Sequence, residues 1–270
     1  MTDPGQAFPG QDFGSCEFTE DAFLGGQLRL RQPKSGHRAG HDAMLLAAAT
    51  PAKSGLRVVE FGAGVGAAGL AVSRRVAGTK LVLVEIDAGL ARLARENATA
   101  NAIDADVVTL DVLSDAEAFA AAGLAPDSAD VVLMNPPFND PARHRASPDR
   151  AREIAHVSTA ETLEGWIHAA RRTLKSNGIL SMIWRADGLG DVLAALDRGF
   201  GSVAVLPVHA TKASPAIRIL VRAIKGGKAP LRLHAALLLN DPATSRETKE
   251  SELNVQEILA GNGVLPLAAP

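Results

Sequence analysis

From Leu56 onward, short aliphatic runs alternate with Ala-rich stretches, and this alternation narrows the available folds more than any other feature of the chain. The runs lie at 57–61 (RVVEF), 80–86 (KLVLVEI), 106–110 (DVVTL), 130–134 (DVVLM), 178–184 (GILSMIW), 202–208 (SVAVLPV) and 216–224 (AIRILVRAI). Helical stretches fall at 66–76, 89–101, 159–174 and 189–196. Runs that are apolar at successive positions suit a sheet covered on both faces. Strands alternating with helices predict a doubly wound α/β fold with a seven-stranded, mainly parallel sheet. Residues 209–215 leave no room for a crossover helix, so the last strand is expected to be antiparallel.

Upstream, 27–32 (QLRLRQ) alternates like a strand, and His41-Asp42 opens an apolar Ala/Leu helix with Asp42 as a plausible N-cap. The resulting organisation is a mobile leader over 1–22, a strand/helix extension over 23–50, the main domain over 51–240 and a C-terminal extension over 241–270. Hydrophobic residues make up 47% of the chain and charged residues 21%, which excludes global disorder. The single cysteine, Cys16, excludes an intramolecular disulfide, and His37 and His41 sit in a loop-like segment, so no metal site is expected. Without a basic-then-apolar leader or a membrane-length apolar run, a cytoplasmic protein is expected, with no membrane partner.

The first strand runs into Glu60-Phe61-Gly62-Ala63-Gly64-Val65-Gly66-Ala67-Ala68-Gly69. Glycines after a strand let backbone approach a ligand, and the following helix offers free N–H groups. Glu85, at the end of the second strand, is placed to accept from both hydroxyls of a ribose. Two ligand readings fit. Gly64-x-Gly66-x-x-Gly69 matches a dinucleotide fingerprint, and Glu60-x-Gly62-x-Gly64-x-Gly66 matches the loop of S-adenosylmethionine enzymes. A turn without a ligand is the third. The Glu60 carboxylate favours a cationic sulfonium over a pyrophosphate. Asp111, after the third strand, suits either the exocyclic amine of a cofactor adenine or a helix cap.

The fourth strand ends in Asn135-Pro136-Pro137-Phe138. The prolines have no N–H and push Asn135 and Pro136 toward extended geometry. That geometry lets the Pro136 carbonyl and the Asn135 side-chain carbonyl accept both hydrogens of a planar –NH₂, with Phe138 stacked on the ring. Holding the amine toward a methyl sulfonium is a proximity effect. The plain alternative is a rigid Pro-Pro turn.

With these residues the chain resembles a class I S-adenosylmethionine-dependent methyltransferase, Rossmann-like in fold, of the group that methylates amines with an NPP-aromatic motif. The segment 32–46 (QPKSGHRAGHDAMLL) and the stretch 214–226 (SPAIRILVRAIKG) are similar to bacterial adenine-specific valine-tRNA methyltransferases. The resemblance implies S-adenosylmethionine held by Glu60, Gly62, Gly64, Gly66, Glu85 and Asp111. It implies a target base held by Asn135, Pro136 and Phe138, with tRNA as partner. It assigns no derivable role to Arg38 or Asp42, and leaves the oligomeric state open.

The net charge of −2 hides local charge. Residues 209–234 hold six Lys and Arg and no acid, 29–41 hold four and no acid, and 85–130 hold ten acids against two Arg. Arg143, Arg145 and Arg150, in the loop expected after Phe138, are the candidate nucleic-acid contacts, since a flipped base stays near its own phosphates. Three other outcomes remain: guanine in ribosomal RNA or a glutamine amide in a release factor as target, an NAD-type oxidoreductase, or a non-enzymatic RNA-binding protein. Trp166 and Trp184 are expected to be packing residues.

Overall fold

A computed structural model describes residues 17–34, 38–137, 148–240 and 255–269, the side chains of 148–160 excepted. The central sheet is built from β3 (Arg57–Phe61), β4 (Lys80–Glu85), β5 (Ala105–Thr109), β6 (Ala129–Met134), β7 (Leu174–Arg185), β8 (Phe200–His209) and β9 (Ala216–Lys225). Two dipeptide strands, β10 (Arg232–Leu233) and β11 (Leu237–Leu238), pair with the outer edge of β8. The sheet therefore has nine strands rather than seven, in the order β10-β8-β9-β7-β6-β3-β4-β5 with β11 also on β8. All neighbours run parallel except β9, which is antiparallel to both β7 and β8, as the short 209–215 connection requires.

The apolar runs are continuous because each strand feeds two cores. Val58, Leu81, Leu83, Val131 and Leu133 pack under α1 (His41–Ala49), α2 (Ala67–Arg75) and α3 (Ala88–Ala100). Their neighbours Val59, Phe61, Val82, Val84 and Val132 pack under α4 (Ala116–Ala121), α5 (Pro148–Thr173) and α6 (Leu189–Leu196). Burial of alternate residues on opposite faces is the period-two geometry of a strand. Trp166 and Trp184 both belong to the second core, as expected.

Several local expectations are corrected. The leader gives way at Phe18, where β1 (Phe18–Phe23) starts a hairpin with β2 (Leu28–Pro33); residues 1–16 lie outside the described set. Gly40, not Asp42, is the N-cap of α1. The helix expected from 159 starts at Pro148, so Arg150 lies in α5 and not in a loop, while Phe138, Arg143 and Arg145 lie outside the described residues. Within the C-terminal extension, α7 (Val255–Leu259) and the turn after it bury Val255, Ile258, Leu265 and Leu267 in the first core.

The β1–β2 hairpin does not join the main sheet. It is held by two asparagines one helical turn apart, Asn97 in α3 and Asn101 at its C-cap. Asn97 Oδ1 accepts from Arg31 N at 2.8 Å, and its Nδ2 donates to Arg31 O and to Val65 O, both at 3.0 Å. Asn101 Oδ1 accepts from Arg29 N at 3.0 Å, and its Nδ2 donates to Arg29 O at 2.6 Å. Two amide side chains thus supply the ladder that a neighbouring strand would otherwise provide. Asn97→Ala leaves three backbone groups without their partners. The expected loss is about 1–3 kcal/mol of unfolding free energy, read as a lower thermal midpoint in a calorimetric scan. An unchanged midpoint would show that the hairpin is held by other contacts.

Candidate functional site

Sheet order reverses at β3, which pairs β4 on one side and β6 on the other. Folds of this kind bind ligands at that switch, beyond the carboxyl ends of the strands. Phe61 is in register with Met134, so the glycine loop and Asn135 leave the sheet side by side. A cavity of about 360 Å³ opens there, lined by the glycine loop, the start of α2, Asn135 and the segment 38–43.

The glycine loop divides its labour. Gly62, Gly64 and Gly66 all have positive φ, at 65°, 56° and 86°. A Cβ on Gly62 would stand 2.5 Å from Cη2 of Trp166, so this glycine exists for packing. A Cβ on Gly66 would stand 2.9 Å from Cδ1 of Leu83. Around Gly64 a Cβ would meet nothing within 4 Å, which leaves that backbone open to the cavity.

Glu60 is buried and lines the cavity. Its Oε2 accepts from Gly69 N, in the first turn of α2, at 2.7 Å. Gly66 has no side chain to cap α2, so a carboxyl from β3 satisfies one of its free amides. Burial pushes the Glu60 carboxyl up to about 8 from its ordinary 4.5; the Gly69 amide pulls it back and the nearby Glu85 raises it again. Glu85 is also buried, and both of its oxygens already accept from backbone: Oε2 from Gly64 N at 2.7 Å and Oε1 from Asp87 N at 2.9 Å. A carboxylate has about four acceptor positions, so each oxygen keeps capacity for a hydroxyl. Asp111 is exposed; its Oδ1 accepts from Leu113 N at 2.9 Å, and α4 is capped instead by Asp115. The helix-cap alternative for Asp111 is therefore excluded.

Asn135 carries an unsatisfied group at the cavity wall. It is half-buried, yet its Oδ1 is fully buried and has no hydrogen-bond partner among the described residues. Pro136 beside it is buried and Pro137 exposed. An unpaired buried carbonyl costs about 1–3 kcal/mol, and such an exception asks for a donor from outside the described residues.

The opposite wall was not legible in the sequence. Arg38 donates to Pro33 O at 2.9 Å and to Asp21 Oδ2 at 2.7 Å. Hydrogen bonds from Gln32 and Thr19, with Arg38 adding charge, hold the Asp21 carboxyl below the usual range. Asp42 pairs with Arg218 of β9 at 2.9 Å. These pairs tie 38–43 to the hairpin and to the far half of the sheet. The acids and bases are distant in sequence, so no spacing signals them. Ile86 and Leu113, 62% and 53% exposed, follow the ends of β4 and β5 and offer apolar surface beside Glu85 and Asp111. No helix among the described residues is long and apolar enough to cross a membrane.

The chain is similar to several known proteins. The sequence profile described as Methyltransferase small domain matches residues 37–211. A Flavobacterium psychrophilum protein named tRNA1(Val) (adenine(37)-N6)-methyltransferase is 31% identical over 58% of this chain, and the match spans 65% of that relative. A Dickeya chrysanthemi protein of the same name is 28% identical over 76% of this chain and 79% of its own. The crystal structure of a predicted O-methyltransferase from Agrobacterium tumefaciens superposes with a TM-score of 0.65 at 30% identity, covering 83% of this chain and 98% of that one.

A carboxyl group with its folded value raised to about 8 binds a proton in the native state that it releases in the unfolded chain above about 4.5. Stability from Glu60 is therefore expected to fall as pH rises from about 5 to about 8. Denaturant unfolding of the ligand-free protein across that range checks it, and Glu60→Gln should flatten the slope. An equal slope in both proteins would place the titrating group elsewhere.

Proposed function

The chain belongs to the methyltransferase small domain family, and from that premise we propose that it transfers a methyl group from S-adenosylmethionine to the exocyclic amine of an adenine in tRNA. The observation that carries the reading is the Asn135 Oδ1, buried and without a donor among the described residues, on the wall of a cavity shared with the glycine loop. The names of the two curated relatives supply the target base and the RNA class. A tRNA substrate supports a cytoplasmic location.

The residues suit the cofactor. Gly64 leaves backbone open to the cavity. Glu85 and Asp111 present carboxylate oxygens at the ends of β4 and β5, and Ile86 and Leu113 supply apolar surface for a planar ring. Glu60, Gly62 and Gly66 keep the loop and the first turn of α2 in place, and Glu60 adds a carboxyl that favours a cation once ionised. When bound, S-adenosylmethionine supplies an electrophilic methyl on a sulfonium.

Asn135 accepts one N–H of the target amine and Pro136 presents a second acceptor, which fixes the nitrogen and aims its lone pair at the donor. Phe138 is assigned to stacking on the base, and Arg143, Arg145 and Arg150 to the flanking phosphates. No base is needed before attack, because the proton leaves after the nitrogen bonds to carbon. A hydroxyl acceptor differs: it must lose its proton as it attacks, and the Asn135 carbonyl is no base at neutral pH. This separates the reading from the O-methyl transfer in the name of the Agrobacterium structure.

Methyl-labelled S-adenosylmethionine, incubated with unmodified tRNA and followed by nucleoside digestion, is expected to place label on N6-methyladenosine. Asn135→Ala should lower turnover by about 10²–10³-fold, as loss of one positioning hydrogen bond does, while cofactor binding by calorimetry stays intact. Label on guanosine, on a protein glutamine or nowhere, or wild-type turnover in the variant, would overturn it.

A further inference from the structure

We propose that the edge of the described sheet, from the β8–β9 turn down along β10, docks the sugar–phosphate backbone of the RNA substrate. This rests on the reading of the chain as a tRNA methyltransferase. It adds a surface to the site and does not depend on residues 138–147.

Tertiary structure sorts the basic residues of 29–38 and 209–234 into two groups. The four cations of 29–38 are all paired: Arg29 with Glu20, Arg31 with Glu96, Lys34 with Glu17 and Arg38 with Asp21. Of the six cations in 209–234, Arg218 is held by Asp42 and Lys225 by Asp127, and Arg222 donates to the carbonyls of Leu267 and Ala269. Lys212, Lys228 and Arg232 remain. All three are exposed, and none has an acidic partner among the described residues.

Those three fall on one border. Lys212 sits in the turn between β8 and β9. Since β9 is antiparallel to both β7 and β8, this turn lies at the same edge of the sheet as Asn135. Lys228 follows β9 at the opposite end, and Arg232 lies in β10, in register with Ala204 of β8. The border is about 30 Å long, at ~3.3 Å per residue along β8. β10 stands four strands from β6, about 19 Å at ~4.8 Å per strand. Leu231 and Leu233, 51% and 68% exposed, add apolar area between the cations.

The other border repels a polyanion. β5 and its flanks expose Asp104, Asp106, Asp111, Asp115 and Glu117. A polyanion is thus attracted to the β8–β10 side and excluded from the β5 side. With the target base held at Asn135, in the middle of the carboxyl edge, the rest of the RNA runs over β7, β9 and β8 toward Lys212 and Arg232.

The test is a triple variant, Lys212→Ala/Lys228→Ala/Arg232→Ala, against a control, Lys53→Ala/Arg92→Ala, which removes two exposed cations elsewhere. Binding of unmodified tRNA is measured from low to high salt, with methyl transfer, S-adenosylmethionine affinity and thermal midpoint alongside. In the triple variant, the slope of log K against log salt should become shallower by about 2, at ~0.7–0.9 per phosphate contact. KM for tRNA should rise, with kcat, cofactor affinity and midpoint unchanged, and the control should match wild type. An unchanged slope in a triple variant that still methylates tRNA overturns the surface and leaves the function standing. An equal loss in the control overturns it as a general charge effect. A wild-type protein that neither binds nor methylates tRNA overturns the function as well, and loss of a protein substrate instead would assign the border to a protein partner.

Discussion

The parallel pairing of β3 with β6 is the contact on which the site depends. It is the point where sheet order reverses, so the helices that follow the two strands depart to opposite faces and leave a gap above them. Register then decides what faces the gap. Because Phe61 stands opposite Met134, the loop that opens backbone at Gly64 and the unpaired carbonyl of Asn135 share one cavity. A slip of one residue would turn every apolar side chain of β6 to the wrong core. The two cores therefore hold the register that brings the glycine loop and the Asn135 amide together.

Around this contact, polar side chains hold what packing alone cannot. Glu60 reaches from β3 to the first turn of α2, Glu85 reaches from β4 to the glycine loop, and Asn97 joins that loop to the β1–β2 hairpin. Each fastens a backbone group that would otherwise be unpaired near the cavity. The cost is concentrated at Glu60, where burial, with Glu85 adding to it, pushes the carboxyl up to about 8. The hairpin and the segment 38–43 close the other side through Arg38–Asp21 and Asp42–Arg218. Electrostatics follows the same logic: cations near the cavity wall are consumed in structural pairs, and those on the β8–β10 border are left to solvent.

Local signals predicted what depends on local chemistry. The glycines after β3, Glu85 at the end of β4 and Asn135-Pro136 after β6 stand together because a parallel sheet puts the carboxyl end of each strand at one edge. The N-cap of α1 was misplaced because Gly40 has no side chain to announce it. The helix containing Arg150 starts earlier than its apolar pattern suggests, since 148–158 (PDRAREIAHVS) is mostly polar. Asn97 and Asn101, one turn apart at the end of α3, are the local trace of the hairpin's attachment.

Strand order, by contrast, follows from competition among strands of similar composition. The seven aliphatic runs are nearly interchangeable in hydrophobicity, and only packing against two sets of helices selects their neighbours. The chain in isolation establishes the α/β alternation, the antiparallel last strand of the main run and the chemistry placed at each strand end, because these rest on periodicity and on the stereochemistry of glycine and proline. The fold alone assigns Gly62 to Trp166, removes Arg29, Arg31, Lys34 and Arg38 from the pool of free charge, and turns Glu60 into the cap of α2. Those outcomes depend on which residues distant in sequence become neighbours, and charge or burial cannot be read before the partner is known.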